Sequence, residues 1–146
     1  MTTTVVIEQT GDDYTIHGSK DAGTPSLVRD GLQEPAPVFV VDMGAPAMFL
    51  HGDAPTSRRR PNAVLGMLVR VESATETAHK TAVAALRAAV EQFQYNTTIT
   101  KTGSATTWRC YAGTVTPVGG ARIVDTTGLI VERYNVTIPV HPIEVI

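Results

Sequence analysis

Cysteine is nearly absent from this chain of 146 residues, since Cys110 is its only one. A lone cysteine permits no disulfide within the chain and no thiolate metal site built from one copy. Cys110 falls in phase with Trp108 in an alternating stretch, which predicts a buried packing residue and not a nucleophile. No stretch approaches the roughly 18 apolar residues of a membrane-spanning helix, and the N-terminus lacks the basic and apolar regions of a signal peptide. We therefore expect a soluble protein made in a reducing cytoplasm.

The chain also lacks a large excess of positive or negative charge, and it lacks recognisable catalytic motifs. Twelve basic residues oppose 14 acidic ones, and the formal net charge of −2 gives no general attraction to nucleic acid or to an anionic membrane. There is no GxSxG, P-loop or GxGxxG motif. The four histidines, at positions 17, 51, 79 and 141, lack the spacing of metal ligands and are interpreted as surface or edge residues. The sequence therefore predicts no enzyme, no catalytic residue, no metal site and no cofactor.

The segments that are present are mostly alternating strands. Apolar residues make up 42% of the chain and charged residues 18%, which indicates one folded domain over residues 1–146. TVVIEQ and GDDYTIHG predict a hairpin around residues 11–13. VFVVDMG and AMFLHG predict two more strands, whereas Ser19–Pro37 predicts a loop with at most a short strand at Ser26–Arg29. In VLGMLVRVES, alternate residues share one apolar face: Leu65, Met67, Val69 and Val71.

One long helix is predicted at about Thr75–Gln94. Ser73 and Glu76 have the spacing of a capping box, which is typical of a helix N-terminus. Four apolar residues then fall on a single helical stripe, the predicted core face: Val83, Leu86, Val90 and Phe93. Alanines beside this stripe allow the helix to lie close to a sheet.

A hairpin follows, with arms at Thr97–Thr100 and Thr106–Ala112, and then a long alternating strand at Leu129–Val140. Thr97–Thr100 and Leu129–Val140 are interpreted as exposed sheet edges, in part because Pro139 cannot donate to a central ladder. One helix covers only one sheet face, so the remaining apolar surface requires more sheet. The predicted fold class is mainly β (α+β): a small β-sandwich or partly open barrel, flanked by one long helix at about residues 75–94 that a β-hairpin follows.

An exposed polar loop, GDAPTSRRRPN, is predicted at Gly52–Asn62, because prolines bracket it and neither helix nor strand fits it. It carries three consecutive arginines, Arg58, Arg59 and Arg60. Three interpretations remain open: a solvated loop tip, an ion-pairing contact with another protein chain, and a nucleic-acid contact. We take the three arginines as the candidate inter-subunit contact loop.

The order of these elements resembles a known family. The strand VLGMLVRVES, the helix, the hairpin whose second arm is Trp108–Gly113, and the closing strand LIVERYNVTIPVHP resemble the N-terminal ring domain of distal tail proteins of long-tailed bacteriophages. The fold of that domain is related to the fold of tail-tube proteins. The resemblance covers about two thirds of the chain, and the first 60 residues share with the family only their richness in β-structure.

The resemblance implies a structural virion protein and not an enzyme. Distal tail proteins form homo-hexameric rings that join the tail tube to the tail tip, so the implied partners are other copies of the chain, the tail-tube protein, and tip or baseplate proteins. DNA passes through the lumen without specific binding, no membrane is involved, and assembly takes place in the host cytoplasm before the protein resides in the virion tail. The alternatives are a tail-tube or tail-terminator subunit and, in a different class, a small β-sandwich module that binds a ligand such as carbohydrate.

Overall fold

The structure, a computed structural model, describes residues 3–36, 40–46, 53–59, 61–118, 123–124 and 127–145. The strands in these ranges are β1 (Thr4–Ile7), β2 (Tyr14–Ile16), β3 (Ser26–Gln33), β4 (Val40–Pro46), β5 (Asp53–Arg59), β6 (Ala63–Ser73), β7 (Gln94–Lys101), β8 (Ser104–Tyr111), β9 (Thr114–Pro117), β10 (Ile123–Val124) and β11 (Ile130–Val140). The helix α1 (Glu76–Val90) lies between β6 and β7 in the chain. The predicted mainly β, α+β class is confirmed.

Nine of the strands form one antiparallel sheet in the order β2-β1-β7-β8-β11-β6-β3, with β9 and β10 both paired to β11. The two outer strands of this order meet through a parallel bridge between His17 and Ser26. The His17 amide donates to the Pro25 carbonyl at 2.9 Å, and the Leu27 amide donates to the His17 carbonyl at 2.7 Å. His17 directly follows β2, so this bridge brings the two ends of the open sheet together, and the curled sheet is a partly open barrel.

The interior of this barrel holds the alternate side chains that the sequence places on one face of each strand. On β6, the predicted face of Leu65, Met67, Val69 and Val71 is buried. β11 pairs with β6 along its whole length, and its own buried face lies beside it: Tyr134, Val136, Ile138 and Val140. The other strands contribute Val5, Ile7, Ile16, Leu27, Ile99, Trp108, Cys110 and Val115 to the same core.

The prediction of exposed edges at Thr97–Thr100 and Leu129–Val140 is wrong. β7 lies between β1 and β8, and β11 lies between β6 and the β8–β9 strands, so both are central. Alternation of apolar and polar residues reports one buried face, and it carries no information on how many neighbours a strand has. Pro139 is accommodated near the end of β11, where the pairing of this strand passes from β9 to β8.

The helix begins later and ends earlier than predicted. Thr75 is its N-cap, and its side-chain oxygen accepts a hydrogen bond from the Ala78 amide at 3.1 Å. The capping box predicted at Ser73 is wrong, because the alternation of β6 continues to Ser73, which is buried as the last residue of that strand. A bond from the N-cap side chain to the amide three residues later is ordinary capping geometry, and threonine is one of the residues that commonly supply it.

The C-terminal end of α1 explains why part of the predicted stripe is not in the core. Leu86 and Val90 are fully buried and Val83 is partly buried, but Phe93 is 85% exposed. The Val90 carbonyl accepts from the Tyr95 hydroxyl at 2.8 Å and from the Gly113 amide at 3.0 Å. In a continuing helix, the backbone amide four residues later would donate to this carbonyl. The two donors take the place of that amide. Phe93 therefore lies in the link to β7 and not on the helix, which corrects its assignment to the core stripe.

The segment Ser19–Pro37 is more regular than predicted, because β3 runs over eight residues, Ser26–Gln33. Its pairing with β6 shifts between Leu27 and Leu32, so the residues between them bulge from the ladder. Asp30 has a φ of 58° in this bulge. Asp30 and Gly31, which favour a loop in the sequence, lie in a bulge within the strand and do not end it.

Candidate assembly surfaces

The remaining two strands, β4 and β5, form a two-stranded antiparallel sheet separate from the barrel sheet. We call Val40–Pro46 with Asp53–Arg59 the ribbon. The ribbon is an insertion between two neighbouring strands of the barrel, because β3 and β6 flank it in the chain and pair with each other, with Gln33 opposite Gly66. Neither ribbon strand pairs with the barrel within the described residues, so the outer backbone edges of the ribbon are open there.

The predicted loop at Gly52–Asn62 is wrong for most of its length, since residues 53–59 are a strand. Pro55 lies opposite Met43, next to a shift in the pairing register. Proline is tolerated at such irregularities because no ladder hydrogen bond is required of its nitrogen. The strand predicted at Ala47–Gly52 falls outside the described residues.

Two of the three candidate arginines lie on the ribbon. Arg59 is opposite Val40 and Arg58 is opposite Val41, at the C-terminal end of β5. Arg60 follows directly and lies outside the described residues. Arg58 and Arg59 thus belong to a strand that has only one paired neighbour in the described part of the chain, which the sequence did not predict.

A second surface is a shallow groove of about 290 Å³ along α1, which we call the helix groove. Helix residues at positions 79, 80, 83, 84 and 87 line it, and Tyr134 of β11 closes one side. Lys80 is exposed, whereas Arg87 is half-buried and donates from Nη1 to the Val115 carbonyl at 2.8 Å. Glu91 lies 3.8 Å from the same Arg87 nitrogen. The groove therefore presents one solvated ammonium group and one anchored guanidinium group.

His79 forms the buried floor of the helix groove and is only 2% exposed. Its Nε2 lies 2.9 Å from Oε2 of Glu132 and 3.4 Å from the Tyr134 hydroxyl. A carboxylate only accepts, so Nε2–H donates to Glu132 and the proton of a neutral ring resides there. Nδ1 is buried without a hydrogen-bond partner among the described residues. Buried polar atoms are rarely left in this state, so each such atom requires a reason.

The prediction of a surface or edge histidine is wrong for His79. It lies four residues before Val83 and seven before Leu86, which is the spacing of the apolar stripe. That spacing was the available signal for its burial. Its partner Glu132 is 53 residues away in the chain, and nothing local in the sequence connects the two residues.

Cys110 is a packing residue, as predicted. Its side chain is fully buried, and its Sγ donates to Oγ1 of Thr97 at 3.3 Å. Burial raises the pKa of the Cys110 thiol to about 11, which the hydrogen bond to Thr97 only partly offsets. The thiol is therefore neutral near pH 7, and a neutral thiol is a poor nucleophile.

Within the described ranges, no group of three or more His, Cys, Asp or Glu side chains is arranged to hold a metal ion. No helix in the same ranges is long and apolar enough to cross a membrane.

Comparison with known proteins finds structural likeness but no family. No protein-family model matches the chain, and no curated protein matches it. Among solved structures, the chain is similar to a chain in the six-fold symmetrised cryo-EM structure of the anti-feeding prophage baseplate, with a TM-score of 0.45 and 8% sequence identity. The match covers 95% of this chain and 88% of that chain. Likeness at this level assigns neither a family nor a role.

Proposed function

We propose that the chain is a structural subunit of a phage tail, a single ring-forming domain that acts as a distal tail hub. Six copies form a ring that joins the tail tube to the tail tip, and no catalysis is involved. The sequence resemblance supports this role through the order of strand, helix, hairpin and closing strand. The same order appears in the fold as β6, α1, the β7–β8 hairpin and β11.

The ribbon is the observation that carries the proposal. An isolated two-stranded sheet is marginally stable in water, and open strand edges recruit further strands. Within the described residues, β4 and β5 pair only with each other. A neighbouring copy can supply the missing contacts, and such head-to-tail contacts close into a ring when the rotation between copies fits.

Charge supports contact between the ribbon and another copy. Without Arg58, Arg59 and Arg60, the chain has nine basic residues against 14 acidic ones. The rest of the molecule is therefore markedly acidic, and it offers counter-charges to these arginines. Complementary charge of this kind orients and accelerates association. The acidic remainder also suits a ring lumen through which DNA slides without being held.

The proposal assigns the tail-tube protein and the tip or baseplate proteins as partners above and below the ring. A ribbon of this kind would serve a tail-tube or tail-terminator subunit equally well. The morphology of the assembly separates the tube protein from the other two roles, because a tube protein polymerises into long tubes whereas a hub or terminator stops at a discrete ring.

Removal of the ribbon tests the proposal. In the variant, a short Gly-Ser turn replaces residues 37–60 and joins β3 directly to β6, which are already antiparallel neighbours. We expect the wild-type chain to sediment at a multiple of its 15.6 kDa mass and the variant to sediment as a folded monomer. Circular dichroism checks that the variant keeps a cooperative melting transition. A folded variant that assembles as the wild type does would contradict the proposal.

A further inference from the structure

We propose that the helix groove receives the acidic turn between β1 and β2 of a second copy. This inference rests on the proposed function, because it specifies one contact of the ring. It commits to a second copy as the occupant on the basis of charge complementarity between two surfaces of the same chain.

The receiving surface carries an exposed cation that has no ion-pair partner among the described residues. Lys80 is exposed, and no carboxylate of the described residues pairs with it. His79, which is paired with Glu132, forms the floor of the same groove. The half-buried Val83 adds an apolar wall. A carboxylate at the groove would pair with Lys80, and the half-buried Arg87 adds a second cation on the same helix face.

The entering surface is a cluster of exposed carboxylates. Glu8, Asp12 and Asp13 are exposed around the turn between β1 and β2. The one contact of these side chains in the described residues is a long hydrogen bond, 3.4 Å, from the Gln9 amide to Oδ1 of Asp13. Three like charges so close together repel one another, and a cation from a neighbour relieves that repulsion.

The two surfaces cannot meet within one copy. Nε2 of Gln92 donates to the Glu8 carbonyl at 2.9 Å, so the acidic turn adjoins the C-terminal end of α1. Lys80 precedes Val90 by ten residues, which is about 15 Å along a helix axis. Two complementary surfaces at different places on one chain are what a head-to-tail contact requires, and repetition of that contact around an axis gives a ring.

Charge reversal and charge exchange test the contact. Lys80→Glu places a carboxylate against the incoming acidic turn, and we expect the concentration needed for half-assembly to rise roughly tenfold or more, since like charges facing each other across an interface are costly. Asp13→Lys combined with Lys80→Glu exchanges the two charges, and we expect it to recover most of the assembly. Lys20→Glu is the matched control, because Lys20 is also exposed but does not line the groove. Sedimentation velocity over a concentration series, with melting curves for each variant, provides the measurement.

The outcomes separate this inference from the proposed function. If the wild type assembles and Lys80→Glu assembles equally well, the contact is wrong while the ring proposal stands. Failure of the exchanged double variant to recover, with its melting transition intact, also overturns the contact. If the wild type remains monomeric at every concentration, both proposals fail. Loss of assembly in Lys80→Glu but not in Lys20→Glu, followed by recovery on exchange, supports the contact.

Discussion

Leu86 is the residue at which the packing of α1 on the barrel can be tested most cleanly. It is fully buried at the centre of the helix face, next to Val90 and Ala89, which are also fully buried. Truncation to alanine leaves the helix propensity high and removes only buried methyl groups. The change therefore isolates the contribution of this side chain to the core.

We expect Leu86→Ala to lower the free energy of unfolding by about 2 to 5 kcal/mol, the range for leucine truncations that leave a cavity. A folded chain of this length has an unfolding entropy of about 0.3 kcal/mol/K, so the loss corresponds to a fall in Tm of about 6 to 16 °C. The fall is at the upper end of this range if α1 and the sheet cannot close the cavity. Urea unfolding followed by circular dichroism gives the free energy directly, and a calorimetric melt gives the change in Tm.

Phe93→Ala is the matched control, because Phe93 is larger than Leu86 but 85% exposed. We expect its effect on the free energy of unfolding to lie within about 0.5 kcal/mol, as is usual for surface substitutions. If Leu86→Ala melts within a degree of the wild type, the packing of α1 on the barrel is wrong. A loss at Phe93 as large as the loss at Leu86 would show that the helix continues past Val90.

Two further predictions concern the ribbon and the core. The triple variant with Arg58→Glu, Arg59→Glu and Arg60→Glu should keep a nearly unchanged melting temperature but assemble more weakly, because the acidic surface of a neighbouring copy would then repel the ribbon. Thermal melting measures the first effect and sedimentation the second. Unchanged assembly at physiological salt would refute the contact. Cys110 should react with a thiol reagent at pH 8 far more slowly in the native protein than in denaturant, because it is buried and its pKa is raised to about 11. Equal rates would mean that Cys110 is not buried in the core.

Local sequence patterns predicted the elements whose packing is local. The alternation from Leu65 to Val71 and the stripe at Leu86 and Val90 both identify buried faces correctly. The β7–β8 hairpin is also where the sequence predicts it, with Thr97 opposite Trp108. These features depend on periodicity and on short connections, and both can be read within about 20 residues.

Features that depend on distant pairing were not predictable in this way. The central place of β11 follows from its pairing with β6, 57 to 77 residues earlier in the chain, and the two ends of the sheet approach each other through a bridge between His17 and Ser26. Strand β5 was predicted as a loop, because its proline disfavours a strand and because it is defined by its pairing with β4. Phe93 fits the helical period, but the helix ends at Val90, where the Tyr95 hydroxyl and the Gly113 amide donate to the Val90 carbonyl.

The assembly surfaces were predicted only in part. Three adjacent arginines suggested a contact region, but the sequence placed Arg58 and Arg59 on a loop and not on a strand. The helix groove was not predicted, because it is assembled from one face of α1 and from Tyr134 of β11. The pairing of His79 with Glu132 depends on the same non-local contact.

Electron microscopy of the purified chain tests the central claim most directly. Negatively stained particles, examined over a range of protein concentrations, should give class averages of discrete rings with six-fold symmetry and a central opening. Native mass spectrometry of the same sample should show six copies of the 15.6 kDa chain. A uniform monomer at every concentration, confirmed by both methods, would contradict the account of this chain as a ring-forming tail subunit.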